Sequence, residues 1–453
     1  MKKITIVGGG VSGLTVGYLL AIGDKKPGVS VLEADSRPGG KIWSDRADGF
    51  LCEKGANGFL DNKPKTLGLC DSLGITPLRA NENAKKRYVY FNETLNSLPE
   101  SPPSFLKSKL ISWPGKLRMA YEVIAPKGPE DETVADFILR RLGSEALEKL
   151  IDPMVSGVFA GDPYKMSIKS CFPRIKELEQ EYGSLIRALI KIKKERKREK
   201  KGGVSVAPPG RLTSFHDGAQ ALIEALVEKL GDRVKTETPV KGIEKSEGLY
   251  KLHTAEGIVE SDKVVFACPA YTSASILKDF DGEISDTLAD IPYPSLSVVC
   301  FGYRKEKVGH ALDGFGFLIP HREGRRILGT LWDSSIFPNR APEGHVLLRT
   351  MIGGAQSPEL GMLDDDTLMR YVLEDLKPIV SLKGDPDMVR IYRWERAIPQ
   401  YGIDHQKKLA FIEERLQKYP GLYITGNAYR GVGINDCVEN SYRIADQVLS
   451  DIG

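Results

Sequence analysis

The sequence predicts an α/β fold with three parts: a Rossmann-like dinucleotide-binding unit, a second mixed sheet, and a helical insertion. Three observations predict it. At the N-terminus Lys3 to Val7 (KITIV), Val11 to Leu20 and Val29 to Leu32 form a β–α–β pattern. From Trp113 to Lys201 the pattern is mostly helical, and between Ser295 and Met351 β-branched and aromatic runs alternate with turn residues. The 453 residues, at roughly 150 per domain, leave room for two or three domains and a sizeable core.

Taken in order, the N-terminal unit leads to a proline-rich stretch around Pro99, Pro102 and Pro103, read as a loop. Helix-favouring runs follow, among them Thr133 to Leu142 and Ile175 to Lys201. The segment Gly202 to Arg211 (GGVSVAPPGR) cannot continue a helix, because glycine loosens the backbone and proline removes a donor. A boundary is placed there. Beyond it Ala219 to Leu230 reads as an amphipathic helix feeding a meander of Val234 to Ile243, Tyr250 to Thr254 and Ile258 to Ala267. The runs SLSVVCFGY, GFGFLI and HVLLRTMI build the second sheet, and Leu422 to Ile452 closes the chain as strand, glycine-rich turn and helix.

Composition excludes several classes. Hydrophobic residues are 41% and charged residues 28%, as in a globular protein. No apolar stretch approaches the ~18 residues of a membrane span. Lys plus Arg is 64 against 61 for Asp plus Glu, a net +3, which is not the balance of a nucleic-acid binder. Charge is concentrated in one tract. From Lys191 to Lys201, eight basic residues stand against Glu195 and Glu199, which suits an anionic membrane surface or a solvated helix end. The six cysteines lie far apart in no zinc spacing, and no histidine pair has ligand spacing, so no metal is expected. Met1-Lys2-Lys3 and the apolar run after it mimic an export signal, but Gly8, Gly9 and Gly10 interrupt that run. A cytoplasmic chain with reduced thiols is the expectation.

Gly8-Gly9-Gly10-Val11-Ser12-Gly13 is G-x-G-x-x-G between a strand and a helix, with Glu33 ending the second strand. Gly8 permits a tight turn, Gly10 lets backbone approach a pyrophosphate, and Gly13 allows close helix packing. The helix N-terminus offers free N–H groups to the anion. Glu33 can accept from a ribose without a 2′-phosphate. At the other end Gly426 to Cys437 is a glycine-rich turn before a helix, and its amides suit the N1–C2=O edge of a flavin, where negative charge gathers on reduction. Phe315, Leu318, Leu331 and Met351, read alone, are core residues on strand patterns; a flat macrocycle would also need such an apolar slot. Asp364, Asp365 and Asp366 read as helix capping, and nucleophile-elbow, P-loop and H-E-x-x-H patterns are absent.

The fingerprint followed by Arg37-Pro38-Gly39-Gly40-Lys41 and Glu53 to Phe59 resembles the FAD-binding amine oxidase and porphyrinogen oxidase superfamily. The closer resemblance, over nearly the whole chain, is to oxygen-dependent protoporphyrinogen oxidases of bacterial type. It rests on Lys86 to Tyr90, Gly157 to Gly161, Ser170 to Pro173, Gly314 to Leu318, Ile398 to Tyr401 and Gly431 to Cys437. It implies that non-covalent FAD meets Gly8, Gly10, Val11, Ser12, Gly13, Glu33, Ala34, Arg37, Gly40, Lys41, Gly55, Ala56, Asn57, Gly58, Val240, Trp394, Val432, Gly433 and Ile434. The macrocycle is implied near Asn57, Arg87, Gly157, Phe315, Leu318, Leu331 and Met351. Where some members carry an arginine for a substrate carboxylate, this chain has Asn57, which leaves that carboxylate to Arg87 or to solvent.

The resemblance also implies the reaction. It is the conversion of protoporphyrinogen IX to protoporphyrin IX by three two-electron oxidations, with O2 as acceptor and H2O2 as by-product, in heme biosynthesis. Aromatisation supplies the driving force and the protein supplies orientation, so no general base is nominated. Alternatives are a coproporphyrinogen III oxidase of the same family, a flavin amine oxidase, and a flavin-bound porphyrin carrier without turnover. The FAD-binding domain is expected at 1–82, 212–280 and 391–453, the substrate domain at 83–103 and 281–390, and the helical domain at 104–211. Expected partners are the porphyrinogen and oxygen, and no nucleic acid. A homodimer, handover of product to a chelatase, and contact of the helical domain with the inner face of the plasma membrane stay open.

Overall fold

KITIV carries β-branched residues that satisfy a strand buried on both faces, and the chain places it centrally in a five-stranded parallel sheet. In the computed structural model, which describes residues 1–201 and 210–452 (196–201 by backbone alone), the order is Val234–Lys235, Gly28–Leu32, Lys3–Val7, Lys263–Phe266 and Leu422–Ile424. The helices Val11–Ile22, Gln220–Leu230 and Ile434–Ser450 cover one face through Leu14, Val16, Leu222, Leu226, Val438 and Ala445. The three-stranded meander and the helices Ala270–Leu277 and Gly282–Ala289 cover the other.

The second sheet has seven strands: Met388–Trp394, Leu296–Arg304, His345–Gly353, Ile327–Trp332, Gly316–Leu318, Arg87–Phe91 and Thr94–Ser97. All neighbours are antiparallel except Gly316–Leu318 and Arg87–Phe91, so the sheet is mixed. Side chains alternate between its faces. Phe301, Tyr303, Phe317, Trp332 and Leu348 pack on the helix Asp365–Val380 through Leu368, Val372 and Leu376. The opposite face turns toward the glycine loops of the parallel sheet.

Four expectations are corrected. Pro102 and Pro103 open a helix, Pro102–Lys107, capped by the Ser101 hydroxyl; proline fits a first turn, whose N–H groups have no intrahelical partner. The run Ile175 to Lys201 is two helices, Pro173–Tyr182 and Leu185–Lys201, because Gly183 takes φ +70° and ends the first. Val234 to Ile243 divides at Glu237 (φ +52°) and Pro239, so Val234–Lys235 joins the parallel sheet and Gly242–Ser246 the meander. Ile258 to Ala267 divides likewise at Asp262, whose N–H donates to Lys3 O (2.9 Å). The segment Gly202 to Pro209 and the side chains of the basic tract from Arg196 onward lie outside the described residues.

Candidate active site

The end of the Lys3–Val7 strand builds the first wall. Gly8 holds φ +109°, and its N–H donates to Leu32 O at 2.8 Å. A Cβ at Gly13 would lie 2.0 Å from Gly8 O, so only glycine lets the helix come this close. Gly10 differs from both: nothing lies within 4 Å of its Cβ position, so the backbone there faces open space. The helix Val11–Ile22 starts with no side-chain cap on its amides, and the N–H groups at Val11 and Ser12 are oriented for an anion. Glu33 accepts from Gly9 N (2.7 Å) and Asp35 N (2.9 Å), and its carboxylate keeps lone pairs for a ribose. Val240 packs beside Val7 and Leu32, and Ala34 is exposed.

Gly39 N donates to Gly9 O (2.7 Å), which lays the Arg37–Lys41 loop against the fingerprint and Gly40 against Gly10. Arg37 sits at the start of that loop. Its guanidinium donates to Pro38 O (2.9 Å), Gly40 O (3.1 Å) and Ile42 O (3.3 Å) and stacks 4.1 Å over Trp43, so it staples its own loop. Lys41 donates to Arg396 O and lies 5.1 Å from the Trp394 ring centre, and burial lowers its ammonium to about 8.

The loop Gly55 to Gly58 forms the floor. A Cβ on Gly55 would meet Lys41 O at 2.2 Å, and Gly58 takes φ +153° with Thr213 O equally close. The loop is tied to the mixed sheet by residues the sequence reading missed. Arg349 donates to Gly55 O (2.9 Å) and pairs with Asp333 (2.9 Å), both fully buried. Asn57 Nδ2 donates to Asp333 Oδ1 (3.4 Å), while the buried Asn57 Oδ1 has no partner. Burial raises the Asp333 carboxyl, opposed by Arg349 and Arg340. Nearby, the Trp394 indole donates to Lys54 O (2.8 Å). An arginine inside the otherwise apolar run HVLLRTMI was the signal available for this pair.

The sheet face above the loop carries the candidate substrate residues. In register, Leu331 lies opposite Arg349 and Gly316, Met351 opposite Gly329 and Val298, and Leu318 opposite Gly329. Leu318, Leu331, Met351 and Trp394 therefore share one face, where all four are only half-buried. Gly329 keeps the row low, since a Cβ there would meet Leu318 Cδ2 at 2.9 Å, and a Cβ on Gly157 would meet that atom at 2.6 Å. Phe315 and Leu331 pack together beside Phe337. Arg87 is exposed at the mouth with its guanidinium 5.4 Å from the Phe315 ring centre.

The glycine turn of the C-terminal segment supplies the last wall. Gly433 begins the helix Ile434–Ser450, and no side chain caps the first helical amides. Val432 packs toward the helical insertion with Phe159 and Phe172. Uncapped amides at two helix starts, open space at Gly10 and an unpartnered amide oxygen on Asn57 fit a dinucleotide carrying a flat polar ring.

Comparison with known proteins decides the family. The profile of flavin containing amine oxidoreductases matches residues 11–449. The chain belongs to this family. Within it the chain is one of the porphyrinogen oxidases, and its cofactor is FAD. A chloroplastic protoporphyrinogen oxidase of Oryza sativa is 36% identical, covering 98% of this chain and 87% of its own. A coproporphyrinogen III oxidase of Bacillus subtilis is 31% identical over 99% and 98%. A crystal structure from Exiguobacterium sp. 255-15, assigned as a protoporphyrinogen oxidase, superposes with a TM-score of 0.84 at 26% identity over 99% and 98%. The family's profile thus spans both sheets and the helical insertion.

Proposed function

We propose that this porphyrinogen oxidase converts protoporphyrinogen IX to protoporphyrin IX, with O2 as acceptor and three H2O2 released per macrocycle. One observation carries the reading. Leu318, Leu331, Met351 and Trp394 lie half-buried on the sheet face turned to the glycine loops, whereas the opposite face is sealed by a helix. Apolar side chains left only partly covered inside a fold suit a flat apolar ligand. When bound, FAD supplies a two-electron acceptor for the methylene bridges of the macrocycle.

The chain's residues then hold and orient. Gly10 and the amides after it receive the pyrophosphate, Glu33 the ribose, and the uncapped amides at the start of the helix Ile434–Ser450 the N1–C2=O edge of the flavin. Asn57 Oδ1 is an acceptor for an N–H of either bound group. Arg87 meets a propionate at the rim. Arg349 adds no free cation, because Asp333 neutralises it. A site with so little free positive charge favours the substrate with two propionates over coproporphyrinogen with four, whose burial would be costly.

The Bacillus subtilis relative favours the second reading, oxidation of coproporphyrinogen III. Comparing kcat/KM for the two porphyrinogens at one oxygen concentration decides. A protoporphyrinogen preference is expected, and a clear coproporphyrinogen preference reverses the assignment.

We also propose that the helical insertion rests on a membrane surface. No helix among the described residues is long and apolar enough to cross one. On and just beyond the helix Trp113–Ala120, Trp113, Leu117, Tyr121 and Ile124 are 65%, 71%, 48% and 67% exposed and spaced along one face. Leu189 and Ile190 are also exposed, next to the start of the basic tract.

A further inference from the structure

The turn from Gly426 to Gly433 has little of its own to hold it. Gly426 and Gly431 take φ +128° and +104°, which glycine reaches without preferring. Its shape therefore depends on side chains from outside, and the structure shows which. His405, from the helix His405–Leu416, bonds Tyr429 O through Nε2 (3.0 Å). Asp436 accepts from Gly433 N (3.2 Å), and Asn440 Nδ2 donates to Arg430 O (2.9 Å). Each of these holds one point.

Tyr401 holds two. Its hydroxyl donates to Asn427 O and accepts from Gly431 N (3.0 Å), so both of its hydrogen-bonding directions serve the turn. The residue is 1% exposed. Its ring stacks on His405 with centroids 4.2 Å apart and planes 15° from parallel. Its backbone faces the helical insertion: Tyr401 O accepts from Ser167 N at 2.8 Å, and Cys171 Sγ lies 3.8 Å away. One side chain thus bridges the turn, and one backbone ties that bridge to the insertion whose Gly157 lies under Leu318.

We infer that Tyr401, with His405 stacked against it, is a positioning residue that, by holding the turn up to Gly433, sets where the uncapped amides at the start of the helix Ile434–Ser450 stand against the flavin, and so sets how readily the flavin takes up electrons. The inference rests on the proposed reading of that turn as the flavin's N1–C2=O partner. Reduction gathers negative charge on that edge, and preorganised amides at a helix start stabilise it according to their distance. Without the hydroxyl, Asn427 O and Gly431 N lose their shared partner and the turn is free to draw back. Tyr401 touches no reacting atom. It acts through the turn.

The test is made on FAD-loaded protein with three variants. Tyr401→Phe removes only the hydroxyl. His405→Leu removes the stack and the Tyr429 bond but leaves the hydroxyl in place. Gly433→Ala puts a methyl at the helix start, where its nearest neighbour is the Asp436 side chain at 3.1 Å. The readouts are the flavin midpoint potential, the visible flavin spectrum and the rate of anaerobic flavin reduction by porphyrinogen.

Tyr401→Phe is expected to make the potential more negative, to shift the spectrum and to slow reduction about tenfold. His405→Leu should give a smaller change of the same sign, and Gly433→Ala should move all three readouts. If Gly433→Ala moves them while Tyr401→Phe only melts earlier, Tyr401 is structural and the inference is overturned, while the reading of the turn survives. If none of the three variants moves potential or spectrum, the turn does not face the flavin and both fall. Should Tyr401→Phe not hold flavin, His405→Leu is judged by the same criteria.

Discussion

At the scale of single residues, Gly10 is the sharpest point of test. Its Cβ position is empty, so Gly10→Val should fold and melt close to the parent. The valine nevertheless fills the space a pyrophosphate needs, so the purified variant should be colourless. Full flavin content, read from the 450 nm to 280 nm absorbance ratio (wavelengths roughly those of any flavoprotein), would refute the pyrophosphate placement. A second test concerns acidity. Burial lowers His405 to about 4, against 6.5 for a free histidine. The unfolded chain therefore binds more protons between those values, and stability falls as pH drops through that window, by up to about 3 kcal/mol. His405→Gln should flatten this part of the pH–stability curve, and an unchanged slope would mean that another group carries it. Much of the fingerprint was legible because each glycine's task is local: a turn, an approach, a helix contact. Arg349, Asp333 and Tyr401 were not, because each gains its role from a partner that is distant in sequence and meets it only in the folded chain.

Among the elements, periodicity found the helices and strands but not where they end. The run Ile175 to Lys201 shows why. Its pattern continues through Gly183, yet the second helix starts anew because a buried carboxylate waits for it. Glu122 accepts from Leu185 N (2.7 Å), Ile186 N (3.1 Å) and Ser184 Oγ (2.7 Å), and it pairs with Arg141 at 3.0 Å, both groups being fully buried. A cap supplied from sixty residues upstream leaves no trace in the local pattern. Glu122→Gln keeps the shape but leaves Arg141 short of one buried partner, and should cost about 3 kcal/mol. A fall in Tm of several degrees, with faster amide exchange at Leu185 and Ile186, is the expected result; unchanged exchange there would refute the cap. The same blindness hid the sheet changes at Pro239 and Asp262, where consecutive strands serve different layers.

For the whole molecule, the two sheets enclose the proposed chemistry while the helical insertion presents apolar and cationic groups outward, which makes membrane binding separable from catalysis. Two forces would act on it. Each cation near an anionic surface contributes roughly 1 kcal/mol and is screened by salt, whereas buried Trp113 and Leu117 side chains would be largely indifferent to salt. Sedimentation with phosphatidylglycerol vesicles should therefore fall steeply between low and high salt without vanishing, and neutral vesicles should bind weakly at either. Leu117 is 71% exposed and supports no core, so Leu117→Asp should weaken binding about tenfold at both salts and leave Tm and flavin content unchanged. Equal binding of the parent at both salts would remove the electrostatic part, and an unaffected Leu117→Asp would remove the apolar stripe. If binding survives Leu117→Asp yet still responds to salt, the basic tract alone holds the surface, and the insertion lies on the membrane without entering it.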